Sequence, residues 1–162
     1  MNIRMVTRGA IIAAMYVVLT ISPGLNAISF YQVQFRVSEM LMPLALFDLA
    51  AVPGLWIGCL IANAIGSPFG MLDLTLGAGL TLLAAAVMYA MGPRWQGLAV
   101  PVVVNAFGVA VVLSIAGGLP YWPSVLWVGV GEAGVMLALG APFYMLLKSN
   151  PAMLGIRERA SR

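Results

Sequence analysis

Glu132 lies roughly two turns into the last apolar stretch of the chain, in the run Gly129-Val130-Gly131-Glu132-Ala133-Gly134. An ionisable group at membrane depth costs at least about 2.5–3.5 kcal/mol on insertion scales, so a carboxylate there needs a partner or a task. The glycines around it remove side-chain bulk and let a ligand or another backbone approach closely. Lys148, the nearest base in sequence, is about four helical turns away, which excludes a local ion pair. Two readings stand: recognition of a ligand, and a structural partnership with Arg36 or Asn105.

Other polar residues in apolar surroundings pose the same alternative. Asp73 follows Ser67-Pro68-Phe69-Gly70 and opens a helix, where a carboxylate either caps the N-terminus or serves a site. Asn63 and Asn105 are amides at membrane depth, able to bridge helices or to hydrogen-bond a substrate. Arg36 and Glu39, three residues apart, share a helix face and either pair with each other or join that site. Tyr121 and Trp122, between Pro120 and Pro123, belong to an interfacial aromatic belt or to a stacking surface shared with Phe30, Tyr31 and Phe35. Glu132, Asp73, Asn63, Arg36 and Glu39 map to the outer half of a helical bundle, with Asn105 as a floor. A mostly apolar pocket with a few convergent polar groups is the usual form of a small-molecule site. Asp48 maps to the opposite end and is left outside it.

The residue types that are missing narrow the chemistry. There is no His, so the commonest general base and metal ligand is absent. Cys59 is the only cysteine, which excludes an internal disulfide and a paired-thiolate metal site and leaves a small packing residue. Lys148 is the only lysine and lacks the preceding glycine pattern of a P-loop, so the chain hydrolyses no ATP itself. No metal and no cofactor is expected, and an enzyme is the weakest functional class.

The elements that position these residues follow from composition. The chain has 162 residues, 62% hydrophobic and 8% charged, against roughly 45–50% and about 25% for a soluble domain. It reads as an all-α integral membrane protein forming a single domain over residues 1–162. About 20 apolar residues cross a hydrocarbon core of about 30 Å. Division at Pro, Gly and charged positions gives six segments: Thr7 to Pro23, Val37 to Ala51, Gly54 to Gly66, Leu72 to Met91, Gly97 to Gly117 and Ser124 to Leu147. The second and third are short and form a hairpin broken at Val52-Pro53-Gly54, which either crosses twice or enters and returns on one side.

With both termini cytoplasmic, Arg4, Arg8, Arg94, Lys148, Arg157, Arg159 and Arg162 all fall inside and Arg36 alone falls outside, as the positive-inside rule asks. The basic tail is then a stop-transfer anchor and not a nucleic-acid arm. No small-residue cleavage pattern follows the first apolar segment, so it is expected to stay in the protein. Small residues mark close helix contacts. Gly54, Gly58, Ala62 and Gly66 form an internal seam, and Ala10 and Ala14 form a second stripe that faces either the same bundle or another subunit.

The stretches Val33-Gln34-Phe35-Arg36-Val37-Ser38-Glu39, Gly54-Leu55-Trp56-Ile57-Gly58-Cys59-Leu60-Ile61-Ala62-Asn63, Asp73 with Gly77 and Thr81-Leu82-Leu83-Ala84-Ala85, Asn105-Ala106, and Gly129-Val130-Gly131-Glu132 form an ordered set. Together they resemble the QueT family of substrate-binding S components of energy-coupling factor (ECF) transporters. The resemblance implies a bundle of six transmembrane helices in a prokaryotic cell (inner) membrane. It would capture a micronutrient from outside and work with a transmembrane coupling protein and two ATPase subunits. It implies that Ala10 and Ala14 contact the coupling protein, and that the ligands are queuosine precursors, which are 7-deazaguanine compounds. A guanine-type edge presents adjacent N–H donors that a carboxylate such as Glu132 accepts, while Trp122 or Tyr121 stacks on the ring. A cationic aminomethyl substituent would be met by Asp73 or Glu39. The rivals are an S component for another vitamin, a proton-coupled secondary transporter using Glu132, and a structural membrane subunit that binds no small ligand.

Overall fold

The computed structural model describes residues 3–30 and 33–150, and among these every regular element is helical. Helix α1 spans Ile3–Ile21 and a short α2 spans Leu25–Ser29. A 3-10 segment, Val37–Leu46, leads into α3, Ala51–Gly66. Three longer helices follow: α4, Gly70–Met91; α5, Trp95–Gly117; and α6, Tyr121–Ser149. The expected basic anchor at Arg157, Arg159 and Arg162, and the aromatic Tyr31, lie outside the described residues.

Helices α1, α4, α5 and α6 are long and apolar enough to cross a membrane. Their outward faces carry Ile11, Val18, Leu83, Val103, Leu126 and Leu137, all exposed and apolar as lipid contact demands. The 16 residues of α3 reach about 24 Å, and the ten residues of the 3-10 segment about 20 Å. Both fall short of the apolar core, as their sequence lengths imply.

The 3-10 segment is the centre of the bundle. It packs against α1, α3, α4 and α6, and Leu41, Met42, Ala45 and Leu46 are buried on all its sides. An element apolar all round has no face to give to solvent, and the fold encloses it. Its start therefore carries Arg36 and Glu39 into the interior.

The break between the two short elements falls at residues 47–50, earlier than the expected Val52-Pro53-Gly54. Asp48 makes that turn. Its Oδ1 accepts the Ala50 N–H at 2.9 Å, and its Oδ2 meets Arg8 Nε at 2.8 Å, tying the turn to α1. Pro53 sits in the first turn of α3, where a missing N–H leaves no hydrogen bond unmade. Gly54 is selected by helix contact and not by a turn, because a Cβ there would stand 2.7 Å from the Gly9 carbonyl oxygen. One turn on, a Cβ at Gly58 would stand 2.7 Å from Tyr16 Cβ and 2.9 Å from the Ala13 oxygen.

Two π-turns interrupt the long helices, Asp73–Gly77 in α4 and Met136–Gly140 in α6. In each, the side chain of the first residue folds back over the glycine that ends the turn and fills the space its Cβ would take. Such turns recur at functional sites, and the first places Asp73.

The α1–α3 seam generates a prediction. Gly58→Val inserts bulk against Tyr16 and the α1 backbone and should cost about 1–3 kcal/mol. A lowered unfolding midpoint in detergent, with no matching drop for Gly79→Val where the space is open, is the expected outcome. Equal midpoints for Gly58→Val and the parent chain would contradict the seam.

Candidate functional site

Six of the sequence-selected polar residues converge: Arg36, Glu39, Asn63, Asp73, Asn105 and Glu132. They come from the start of the 3-10 segment, α3, α4, α5 and α6, and none is more than 6% exposed. Arg36 lies at the centre. Its Nη2 is 4.0 Å from Asp73 Oδ2, its Nη1 donates to Cys59 Sγ at 3.7 Å, and its guanidinium lies 4.9 Å from the centroid of the Phe30 ring. Glu39 accepts a short hydrogen bond from the Tyr16 hydroxyl. Glu132 has Arg36, Glu39 and Asn105 as its polar neighbours. Arg36 and Glu39 thus reach different partners instead of closing only on each other.

Asp73 does not cap α4. The residue flanking that helix is Phe69, which makes no side-chain cap, and Asp73 instead turns inward at the π-turn. Asn63 joins it from α3, its Nδ2 donating to the Asp73 carbonyl at 2.9 Å. The glycine run around Glu132 accommodates backbone: a Cβ at Gly131 would stand 2.6 Å from the Gln34 carbonyl oxygen, and the Phe35 ring covers Gly134. The chain approaching Arg36 therefore crosses α6 beside the carboxylate.

Five atoms of this cluster have no hydrogen-bond partner among the described residues: Arg36 Nε, Glu39 Oε2, Asn63 Oδ1, Asp73 Oδ2 and Glu132 Oε1. Buried polar groups are ordinarily paired, because leaving one unpaired costs about 1–3 kcal/mol. A cluster holding five such atoms is an exception to that rule. Next to it, a cavity of about 430 Å³ is lined by Asn26, Ala27, Phe30, Gly66, Pro68 and Phe69, with Leu113 and Leu119 behind. Phe30 is the shared wall, lining the cavity while covering Arg36.

Tyr121 and Trp122 stand apart from the cluster. The Tyr121 hydroxyl donates to the Phe107 carbonyl at 3.3 Å, and Trp122 is 71% exposed with its ring edge-on to Tyr121. The aromatics that line the cavity are Phe30 and Phe69. Ala10 and Ala14 are exposed on α1, while Ala13 and Gly9 face α3.

Sequence reasoning missed Tyr16, Cys59 and Thr81. Tyr16 is an isolated hydroxyl in an apolar helix, a signal that was present but indistinct from packing. Cys59 is fully buried and receives weak hydrogen bonds from Arg36, Asn63 and Thr81, the last at 3.3 Å. A thiol is compatible with packing and with this acceptor role, and sequence separates them poorly.

Four long apolar helices around a buried polar cluster define a multi-pass helical membrane protein. The family model described as QueT transporter matches residues 6–149, and the chain belongs to that family. A curated relative, the "Queuosine precursor transporter QueT" of Lactococcus lactis subsp. cremoris (strain MG1363), is 46% identical over 74 residues, which cover 46% of this chain and 43% of that relative. The match thus spans less than half of the relative's length. No solved structure matches significantly.

Among the described residues Arg36 is the one buried cation, facing three buried carboxylates. Removing one side of a buried charge arrangement costs about 3–5 kcal/mol. Arg36→Met should therefore depress the denaturant or thermal midpoint of the purified protein strongly. An unchanged midpoint would show that the guanidinium does not hold the carboxylates.

Proposed function

We propose that this chain is the substrate-binding subunit of an ATP-driven importer of the energy-coupling factor type, which captures a queuosine precursor, a 7-deazaguanine derivative, from the outer side of a prokaryotic cell membrane. The observation that carries the reading is the set of unpaired buried atoms in the cluster, four acceptors and one donor. A deazaguanine ring is rich in N–H donors and carries a carbonyl acceptor, so its polarity complements that set. Family membership and the printed name of the Lactococcus relative support the substrate class.

In this reading Glu132, with Asn105 beside it, accepts adjacent N–H groups of the guanine-type edge. Glu39, oriented by Tyr16, accepts another, and Arg36 Nε donates to the ring carbonyl. The stacking role passes from Tyr121 and Trp122 to Phe30 and Phe69. The segments from Gly24 to Arg36 and from Ser67 to Gly70 act as lids over the cavity. Gly24 and Gly70, at φ 86° and 59° with open space around them, give each lid a backbone pivot. Six membrane-inserted segments, with α3 and the 3-10 segment as the short pair and both termini cytoplasmic, place this cavity outside. The Ala10–Ala14 face of α1 docks the coupling protein, beside an apolar groove of about 300 Å³ between α1 and α3 lined by Met5, Gly9, Ala10 and Ile57 among others. Two ATPase subunits supply the work.

A proton-coupled secondary transporter is the second reading, favoured by the unpaired oxygen on buried Glu132. Uptake into liposomes separates the two. The S-component reading expects ATP-dependent uptake only with coupling and ATPase partners present, and the rival expects uptake by the single chain under a pH gradient.

Titration of the purified protein in detergent with 7-deazaguanine precursors, with riboflavin and biotin as controls, should give saturable binding for the deazaguanines alone. Glu132→Gln should weaken it by about tenfold or more, the size of a hydrogen bond to a charged group. Binding of a control vitamin in their place would move this chain to another S-component specificity.

A further inference from the structure

Of the five acids in the chain, Glu158 lies outside the described residues, and the other four, Glu39, Asp48, Asp73 and Glu132, are all buried. The described surface therefore carries cations and no carboxylate to neutralise them. Arg8 is taken up by buried Asp48. Arg94 and Lys148 are exposed, and neither meets a carboxylate among the described residues. An anion that pairs with them has to come from elsewhere.

Tyr144 gathers the two cations at one end of the bundle. Its hydroxyl donates to the Pro93 carbonyl at 2.8 Å, fixing the turn between α4 and α5 on which Arg94 is the next residue. Its ring carries the Lys148 ammonium, 5.9 Å from the centroid, a cation–π contact within the usual reach of about 6 Å. The same ring packs on Phe47, with centroids 5.7 Å apart. Phe47 follows the 3-10 segment and Arg36 precedes it, so this end is the one opposite the polar cluster. Trp95 beside Arg94, and Met145 and Leu146 on the turn before Lys148, are exposed and apolar. Cations bordered by exposed aromatic and aliphatic side chains reproduce the layering of a membrane interface.

We propose that the surface between the α4–α5 turn and the last turn of α6 binds the phosphate headgroup of an anionic phospholipid, with Lys148 and Arg94 as its cations and Trp95, Met145 and Leu146 against its acyl chains. A phosphodiester offers only acceptors and negative charge, the complement of an ammonium and a guanidinium. Bases grouped at the end of a helical bundle recruit acidic lipids in this way. The positive-inside rule asks only for the number of bases beside a span. It does not ask that one of them sit on the tyrosine that fixes the turn of the other. The inference is independent of the ligand that the polar cluster takes.

The test uses the full chain in detergent with equal amounts of phosphatidylglycerol and phosphatidylcholine of the same acyl chains, and counts the lipid retained by native mass spectrometry. The parent chain should retain one phosphatidylglycerol in preference to phosphatidylcholine. Lys148→Gln and Arg94→Gln should each lower that preference about fivefold, the effect of one cation beside an acidic headgroup, with unfolding midpoints unchanged because both side chains are exposed. Arg4→Gln, at an exposed cation on α1, should leave the preference intact. Equal retention of the two lipids by the parent chain, or an intact preference in either Lys148→Gln or Arg94→Gln, overturns the site. Equal losses in all three variants also overturn it, since a diffuse field of positive charge then accounts for the binding. Displacement of the lipid by inorganic phosphate at matched ionic strength does the same, because a free anion is then the ligand. Each of these outcomes leaves the deazaguanine reading to its own titration.

Discussion

Arg36 is held almost out of contact with solvent in the middle of an apolar bundle, and the arrangement of the other polar residues depends on it. A lone guanidinium in such surroundings is prohibitively unfavourable, so charged and polar groups must be brought to it. Asp73 approaches from α4, Cys59 and Asn63 from α3, and Glu39 from its own segment, with Tyr16 behind it on α1. Each of these elements must stop at the depth that makes the meeting possible. The short length of α3 and of the 3-10 segment is part of the same constraint, since α3 ends and the 3-10 segment begins beside the cluster.

Two departures from regular helix carry residues of this cluster. The 3-10 segment carries Arg36 and Glu39 inward, and the π-turn in α4 rotates Asp73 over Gly77. Close approach of the helices is secured by glycines whose missing side chains are occupied by neighbours: Gly54 and Gly58 by α1, Gly131 by the Gln34 backbone. The bundle is therefore tight where helices cross, with a cavity of about 430 Å³ beside the buried polar cluster. The exposed faces of α1, α4, α5 and α6 are left apolar for the bilayer.

Much of the polar cluster that forms the candidate site was legible in the sequence because a bilayer makes polar residues conspicuous. Arg36, Glu39, Asn63, Asp73, Asn105 and Glu132 stand out as polar exceptions in apolar runs, and the structure gathers all six. What was illegible follows from ambiguity of residue type. Pro53 and Gly54 carry the composition of a turn, yet one sits where its missing N–H is harmless and the other where a neighbouring helix touches. The 3-10 segment and the π-turns have no periodic signature in a uniformly apolar stretch, so by sequence Asp73 stays open between a cap and a site residue. Tyr16 and Cys59 pass as packing residues, because only geometry reveals that their polar atoms meet Glu39 and Arg36. Tyr121 and Trp122 suit a stacking surface or a membrane interface equally well by composition, and their exposed positions separate them from Phe30 and Phe69.

The most direct test of this account is an experimental structure of the protein with a 7-deazaguanine precursor bound, read for the atoms within hydrogen-bond distance of the ligand. The account predicts that the ring lies against Glu132 and Arg36, with Phe30 moved aside from the guanidinium and the unpaired oxygens of the cluster satisfied. A ligand seated in the groove between α1 and α3, or held only by the mouth cavity with the buried atoms still unpaired, would contradict it.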